Sequence, residues 1–310
     1  MKKAFLVVLT ILAAAASLHA AARIDTAYVW KDRSTWRIKA SGSVSQINVL
    51  ASGQGDFTPF ELDMKSELRK VFTGSVSWHG ITFSASFDPF TAAGKKKDFE
   101  LGLKSYGRKF GAELQYYNGD SFSGTESFGT AATVNITKGM GTRQTLSLST
   151  YYVWNHKQFS YPAAFMQNTI QKRSAGSFLT GIAVRWQRVT ADAQEGAKDP
   201  LLFFRVWQLG VGFGYGYNLV LPGDILVHVS AIPYLVVSPD RRFKLEGQVH
   251  DFPFVFPDPV LTARGAIVKN FDKVFFGVNS VMNYTGAGRS KGILLEDALW
   301  SVNAFIGIRL

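Results

Sequence analysis

Few side chains in this sequence are suited to chemistry, because cysteine is absent and histidine is scarce. Beyond residue 20 the histidines are His79, His156, His228 and His250. His228 and Ser230 fall on one face of the strand-like stretch ILVHVSA. A serine hydrogen-bonded to a histidine is the nucleophile–base pair of many hydrolases. Residues two apart in a strand are about 7 Å apart, too far for a direct hydrogen bond. We therefore interpret His228 as a lumen residue and predict no catalytic residue.

Candidate metal and phosphate sites are also incomplete. His250 and Asp251 are adjacent and could bind a metal, but the sequence supplies no further clear ligand. The stretch ADAQEGAKDP lacks the spacing of a hand-type calcium loop and is better explained as solvated charge; its acidic residues are Asp192, Glu195 and Asp199. The basic stretch Gly94–Lys97 is either an exposed loop or a contact for lipopolysaccharide phosphates. We predict no metal and no cofactor.

Seven charged residues occupy the more polar side of stretches in which polar and apolar residues alternate. They are Arg37, Lys39, Glu100, Lys104, Glu113, Arg185 and Arg264. On the lipid side of a membrane-spanning strand a charge costs about 2–4 kcal/mol at mid-bilayer, so all seven are predicted to face a lumen. Opposite charges there either pair and plug the lumen or line a narrow path, and both interpretations stay open.

The alternation itself predicts β-strands almost everywhere after residue 35. In ITFSASFD, FGAELQYY and VFFGVNSVMNY every second residue is mostly apolar, and such stretches are roughly 8–13 residues long. A tilted strand needs about nine to eleven residues to cross a membrane, whereas strands average about five to six residues in soluble proteins. Aromatic residues make up 14% of the chain and recur at the ends of these stretches, as in interfacial girdles. We predict an all-β fold, a transmembrane antiparallel up-and-down β-barrel of about twelve strands.

The predicted strands are separated by links of alternating length. The strands lie near residues 36–50, 65–78, 81–89, 98–105, 109–117, 144–155, 175–189, 204–220, 224–236, 261–269, 273–284 and 297–310. The long links span about 51–64, 90–97, 118–143, 190–203, 237–260 and 285–296. Outer-membrane barrels have short periplasmic turns and longer external loops, so both termini are predicted to be periplasmic. The link His156–Arg173 is long where a short one is expected, which indicates a specialised turn or an error in the strand count.

One strand has a glycine at every second position. The stretch LGVGFGYGYNL places Gly210, Gly212, Gly214 and Gly216 on one face. A glycine-rich phosphate loop has unequal spacing and a following helix. We therefore predict a bare inward face that leaves room for bulky neighbours.

The two ends of the chain predict export and barrel closure. Residues 1–20 resemble a signal peptide, because Lys2 and Lys3 precede the apolar run Ala4–Ala16, which is shorter than the roughly 20 residues of a membrane-spanning helix. Residues 21–35 are predicted to be a short periplasmic segment and residues 36–310 the barrel. The last stretch, WSVNAFIGIRL, predicts a final strand that pairs with the first. Within it we expect the signal for the barrel-assembly machinery at Phe305, Ile306, Ile308 and Leu310.

Two stretches resemble a known family. SYGRKFGAELQYYNGDSFSG (Ser105–Gly124) and, more specifically, FSYPAAFMQNTIQKRSAGSFLTG (Phe159–Gly181) are similar to uncharacterised Bacteroidetes outer-membrane proteins catalogued as domain of unknown function number 4421. The resemblance implies an outer-membrane barrel with no established activity, and hence no catalytic residues. Leu310 departs from the phenylalanine that commonly ends such barrels.

Composition and charge narrow the function. The formal charge of +11 could indicate nucleic acid, but export to the outer membrane favours anionic lipid as the partner. We predict an outer-membrane protein with a structural role or a role in small-solute or ligand transport, whose external loops meet lipopolysaccharide or an unknown ligand. The alternatives are a barrel enzyme acting on lipid or peptide, and a soluble periplasmic β-sandwich.

Overall fold

The computed structural model describes residues 24–310 apart from 33, 56, 79–80, 88–98, 130–132, 193–200, 255 and 289–291. The predicted signal peptide, His79, Gly94–Lys97, Glu195 and Asp199 lie outside the described residues. The described elements are β1 (Val29–Lys31), β2 (Trp36–Gly53), β3 (Phe60–Ser66), β4 (Arg69–Trp78), β5 (Ile81–Phe87), β6 (Phe99–Tyr106), β7 (Phe110–Phe128), β8 (Val134–Val153), α1 (Tyr161–Phe165), β9 (Thr169–Gln171), β10 (Ala175–Ala191), β11 (Leu202–Leu221), β12 (Ile225–Leu245), β13 (Gln248–His250), β14 (Pro259–Asn270), β15 (Val274–Gly288) and β16 (Ile293–Arg309).

Twelve of the described strands form one closed antiparallel wall, which confirms the predicted barrel. Around the ring the order is β2, β4, β5, β6, β7, β8, β10, β11, β12, β14, β15 and β16. The ring closes where β16 pairs with β2, from Ile293 opposite Gly53 to Arg309 opposite Arg37. Closure leaves no strand edge unpaired at this seam, as a membrane requires.

The strands end alternately at two ends of the barrel, which we name the turn end and the loop end. At the turn end short connections such as 107–109, 222–224 and 271–273 join the strands. Both ends of the wall also lie there, where the backbone nitrogen of Leu310 donates to Trp36 O at 2.9 Å.

The outside of the wall carries an apolar band about as tall as a membrane. At the turn end Trp36 and Trp78 are exposed, with ring centroids 6.1 Å apart. Trp300 lies opposite Gln46, ten residues farther along β2 than Trp36. Between these aromatic levels the outward residues include exposed Ile38 and Ile306. The spacing matches the nine to eleven residues that cross a bilayer.

At the loop end the strands are longer than predicted. β7 continues to Phe128 and β8 starts at Val134, so the predicted 118–143 link is mostly paired strand. In this part of β7 the buried residues are Gly119, Phe122 and Glu126. The alternation signal fails here because the inward face carries both an apolar and an acidic side chain, whereas in the membrane band the apolar side chains face outward.

An apolar core fills the loop end of the barrel. The short strands β5 and β6 stop below this level, and β3 pairs directly with β7, with Phe60 opposite Phe128. Phe60, Phe204 and Phe243 stack inside, with Phe243 ring centroids 5.1 Å from Phe60 and 4.8 Å from Phe204. We call this cluster the loop-end core. Its other buried members include Ile47, Val49, Leu62, Met64, Leu202, Val206 and Leu295.

The unexpectedly long link enters the turn end of the barrel, so the strand count was right and the link is a specialised segment. We call residues 155–174 the plug. Ser160 caps α1, its hydroxyl accepting from Ala163 N, and every residue of α1 is buried. β9 pairs with β1, which belongs to the segment 24–35 that we call the strap. Among the described residues, none of the helices has the length and apolar character needed to cross a membrane.

Candidate functional site

A polar chamber lies between the loop-end core and the plug. Its volume is about 200 Å³. One wall consists of small hydroxyl side chains on adjacent strands, which leave the space open: Ser41, Ser43 and Ser45 on β2, Thr73 and Ser75 on β4, and Thr82, Ser84 and Ser86 on β5. Phe165 and Met166 of the plug form the floor. The chamber is therefore polar on its sides and partly apolar below.

Glu113 organises the charged side of the chamber. Lys104, its direct cross-strand partner, approaches within 2.7 Å, and Tyr106 Oη donates to the carboxylate at 2.7 Å. Arg264 reaches it from β14, on the opposite side of the ring, at 2.8 Å and also donates to Tyr106 Oη at 2.7 Å. Glu113 is 6% exposed. The Glu113 carboxylate therefore links β7 to β14 on the opposite side of the ring. Its hydrogen bonds to Lys104 and Arg264 are charge-assisted, which makes them stronger than neutral ones.

A second ion-pair cluster crosses the lumen nearer the loop end. Arg143 on β8 makes a bidentate contact with Asp297 on β16, at 2.6 and 2.9 Å. Gln187 donates to Asp297 at 2.9 Å, and Arg185 lies 3.6 Å away. Asp297 is almost completely buried. Four side chains thus join β8, β10 and β16 beneath the loop-end core.

Positive charge is in excess around the chamber. Among the described residues, two acids line it, Glu100 and Glu113, against six basic residues, namely Lys39, Arg69, Lys104, Arg143, Arg185 and Arg264. Asp297 adds a third acid through Arg143, which leaves three more cations than anions. Lys39 contacts a carbonyl, Phe165 O at 3.4 Å, and its ammonium lies 5.1 Å from the centre of the Phe305 ring. An environment of this charge attracts anions.

The seven predicted lumen residues fall into two places. Six of them line the chamber, and Glu100 forms an ion pair with Arg69 at 3.7 Å. Arg37 instead lies at the turn end, 3.5 Å from Asp32 of the strap. Asp32 is also 3.7 Å from Arg309, whose Nε donates to Gln167 O of the plug at 3.1 Å. These contacts join the strap, the plug and the last strand.

Sequence reasoning missed the partners of these charges. Arg143 falls in the predicted 118–143 link and Asp32 in the predicted periplasmic segment 21–35, so the sequence assigns neither residue to the barrel interior. Asp297 does start a predicted strand, but which opposite strand it faces depends on the number of strands in the ring. The sequence signal for this interior partner is the position of Asp297, an acidic residue on the inward face of the last strand.

The prediction that His228 and Ser230 do not hydrogen-bond is wrong. His228 Nε2 and Ser230 Oγ are 2.9 Å apart, and His228 Nδ1 is 2.7 Å from Asn218 Oδ1. The strand rise fixes the Cα separation, but the imidazole leans along the strand and covers the gap. All three residues are at most 4% exposed.

This histidine network anchors the plug. Asn218 Nδ2 donates to Ser160 O at 2.9 Å and to Gln171 Oε1 at 3.0 Å. Gln171 Oε1 accepts from Ser160 N, while its Nε2 donates to Tyr28 O, Gln158 O and Arg173 O. Gln171 is therefore the hub that joins the wall, the plug and the strap.

The other candidate groups are dispersed. His250 packs against Phe57, with ring centroids 5.0 Å apart. His156 lies in the link after β8, where burial and then the nearby Lys109 lower its pKa. Within the described ranges no group of three His, Cys, Asp or Glu residues could hold a metal ion.

The inward glycines make room for larger side chains, as expected from their spacing. A Cβ at Gly212 would lie 2.5 Å from the Tyr234 ring, and one at Gly216 would lie 3.1 Å from Phe159 of the plug. The bare face of β11 thus accommodates both an interior tyrosine and the plug.

Comparison with known proteins identifies the family. The family model described as Domain of unknown function (DUF4421) matches residues 23–309. The chain belongs to this family. The resemblance seen in the two sequence stretches is thereby confirmed. No curated protein matches the sequence.

Solved structures similar to this DUF4421 member are membrane barrels of low identity. The translocator domain of the autotransporter NalP from Neisseria meningitidis is 13% identical, with a TM-score of 0.39 and coverage of 90% of both chains. OmpT of Vibrio cholerae is 8% identical, with a TM-score of 0.36 and coverage of 88% of this chain and 99% of its own. OprG from Pseudomonas aeruginosa is 9% identical, with a TM-score of 0.29 and coverage of 91% and 99%. At these scores the similarities carry no argument about function.

Proposed function

We propose that this protein is an outer-membrane barrel that holds a small anionic solute in its chamber and exchanges it with the periplasm past the plug. The observation that carries the proposal is a chamber of about 200 Å³ with three more cations than anions, enclosed between the loop-end core and the plug. Phe60, Phe204 and Phe243 pack together inside the loop end. We propose that the loop-end core thereby bars a continuous path, and that the protein is a solute-binding barrel rather than an open porin. Transport across the membrane would require the packed side chains of the loop-end core to separate.

The orientation follows from the sorting of the connections. Short turns are periplasmic in outer-membrane barrels, so the turn end, the strap and the plug face the periplasm in this proposal. The apolar band between the Trp36 and Trp300 levels then crosses the bilayer. Export through residues 1–20 as a signal peptide is part of the same proposal.

Thiol chemistry offers a sharp test, because the natural chain has no cysteine. Ser84 lines the chamber, so Ser84→Cys reports its accessibility to small thiol reagents. We expect a negatively charged methanethiosulfonate to react about tenfold faster or more than a positively charged one, since the excess charge favours anions. Inorganic phosphate or acetate should slow the reaction if either occupies the chamber.

The exchange route is tested by loosening the plug in the same background. Gln171→Ala removes the hub of the plug contacts and should speed modification of Ser84→Cys, with no step of bilayer conductance. Gln208→Ala is the matched control, since Gln208 is buried to the same degree but donates to Gly286 O in the wall. A faster reaction with the cationic reagent would overturn the anion assignment. An equal effect of both glutamine variants would overturn the route past the plug.

A second candidate, a hydrolase, is favoured by one observation. Ser230, His228 and Asn218 have the contacts of a nucleophile, a base and an orienting group. However, Ser230 lies beneath Tyr161 of the plug, with the two hydroxyl oxygens 3.4 Å apart. We propose that the trio anchors the plug and that the protein is not an enzyme. Ester or peptide hydrolysis by the wild type that is lost in Ser230→Ala would reverse this assignment.

Assembly is proposed to depend on the last strand. Phe305, Ile306, Ile308 and Leu310 belong to the segment that pairs with β2 at the seam. We propose that the barrel-assembly machinery recognises this segment before closure. Deleting Phe305–Leu310 is expected to prevent membrane insertion, monitored by heat-modifiable gel migration, and normal insertion of the truncated chain would refute the idea.

A further inference from the structure

Three arginines form a row on the outside of the wall. Arg188 on β10 lies directly opposite Arg205 on β11, and Arg205 lies directly opposite Arg242 on β12. Arg188 and Arg242 are exposed, and the Arg205 side chain is 35% exposed. The row therefore presents three guanidinium groups on one outer face of three adjacent strands.

The row lies at the level expected for lipid headgroups. Trp186 and Trp207 also lie directly opposite each other. This pair is two positions closer to the turn end than the pair Arg188 and Arg205. Tryptophan is enriched at membrane interfaces, so this pair marks the outer boundary of the apolar band. Two strand residues extend about 7 Å. The arginines are thus just beyond the hydrocarbon, where headgroup phosphates lie.

The described residues offset only part of this charge. Like charges directly opposite each other in a sheet destabilise it, because their Cβ atoms are only about 4.5–5.5 Å apart. Asp240 approaches Arg205 at 3.8 Å, but its side chain is 71% exposed. Arg188 lies over the Phe203 ring, 5.2 Å from its centre, and Lys244 opposite Phe203 adds a further cation. Asp192 also interacts electrostatically with Arg188. Two acids among four cations, counted over the described residues, leave the face basic.

Below the row, the wall offers a surface for acyl chains. On β10 and β11 the outward residues Ile182, Val211 and Phe213 are each at least half exposed. Phe178 stacks on Phe213 with ring centroids 5.3 Å apart. An amphiphile whose phosphates contact the arginines would thus lay its chains along an apolar strip of the same strands.

We propose that Arg188, Arg205 and Arg242 bind the phosphate groups of a glycolipid in the outer leaflet, the lipid A part of lipopolysaccharide. A guanidinium binds phosphate oxygens through two parallel hydrogen bonds, and bound phosphates offset the repulsion within the row. The site is independent of the chamber and of the solute proposed for it.

The test measures binding of bisphosphorylated lipid A to the detergent-solubilised full chain. The variant R188Q/R205Q/R242Q is expected to bind about tenfold more weakly or worse, and R188K/R205K/R242K is expected to be intermediate, because lysine keeps the charge but not the fork. K65Q/K70Q/K157Q removes the same charge from exposed positions elsewhere and should bind within about twofold of wild type.

The outcomes separate the sources of phosphate. Dephosphorylated lipid A should lose most of the affinity, and millimolar inorganic phosphate should compete only weakly. Equal binding by the arginine variant and the wild type would overturn the proposal, and so would equal affinity for dephosphorylated lipid A. Inorganic phosphate binding as tightly as lipid A would overturn the glycolipid assignment. If the triple variant fails to show heat-modifiable migration, R205Q alone is used, since Arg205 is the central member.

Discussion

The two ends of this barrel are closed in physically different ways. The loop-end core consists of inward side chains of the wall strands themselves, such as Phe60, Phe204 and Phe243. The plug is a separate segment, and its β9–β1 pairing belongs to a two-stranded sheet distinct from the wall. Opening the loop end requires moving strands, whereas the plug can leave without breaking a hydrogen bond between wall strands. The difference supports the proposal that solute exchange uses the turn end.

Removing the plug should give the largest effect. The backbone N–H of Asn155 donates to Ser177 Oγ at 2.8 Å. Asn155 and Ser177 are therefore close enough to be joined by a two-residue Gly-Asn turn that replaces residues 156–176. We expect modification of Ser84→Cys to rise on the order of 100-fold, because local opening then costs almost nothing. Conductance in planar bilayers should stay at the background level, since the loop-end core persists.

The outcome of that replacement also tests the comparison. The control is Glu246→Asn, which turns the two-residue turn Glu246-Gly247 at the opposite end of the barrel into Asn-Gly. It should change neither chamber accessibility nor conductance, because Gly247 lies in a turn with open space around its Cβ position. If the shortened chain conducts ions, the loop-end core is not a barrier and the contrast between the two ends fails.

Weakening the loop-end core should lower stability without changing access. Phe243 is fully buried among aromatic neighbours, so Phe243→Ala is expected to lower the free energy of unfolding by about 3–5 kcal/mol. Val249 is apolar but 65% exposed, and Val249→Ala should change the same quantity by no more than about 0.5 kcal/mol. Urea unfolding in detergent measures both. A faster reaction of Ser84→Cys in Phe243→Ala would show that the core also gates the chamber.

Breaking the ion pair between Arg143 and Asp297 should lower the free energy of unfolding by a similar or slightly smaller amount than Phe243→Ala. Asp297→Asn removes the carboxylate that Arg143 contacts twice and Arg185 approaches, which leaves buried cations less compensated. Removing one partner of a buried ion pair costs about 3–5 kcal/mol, less where water can enter, as from the adjacent chamber. The double variant R143M/D297L should recover most of the loss, as measured by the same urea unfolding. A double variant no more stable than Asp297→Asn would show that these charges do not act as a pair.

The wall was predictable from sequence because lipid imposes a period of two. In β15, Val274, Phe276 and Val278 face outward and every one is exposed, as the alternation requires. The interior was less predictable. Arg264 was expected in the lumen, but its contact with Glu113 depends on which strands face each other across the ring, and no local pattern encodes that. The plug also breaks the period, and its buried residues become interpretable only once the barrel surrounds them.

The smallest expected effect concerns the contact between the strap and the wall. Asp32 lies 3.5 Å from Arg37 and 3.7 Å from Arg309, distances too long for strong hydrogen bonds. In Asp32→Asn the side-chain oxygen still accepts from Ser34, and Arg309 still donates to Phe271 O at 2.8 Å. We therefore expect Ser84→Cys to react only about threefold faster.

The control for this variant lies in the same strap. Asp25 accepts from Ala27 N in an exposed turn, and Asp25→Asn removes an equal charge without touching either arginine, so the reaction rate should not change. An equal response to both substitutions would mean that net charge, and not the contact of Asp32 with the two arginines, holds the strap. The plug would then be held in place by the hydrogen bonds of Gln171 and its neighbours, without a contribution from the ion pairs of Asp32. The closure of the turn end would differ from that of the loop end in that respect as well.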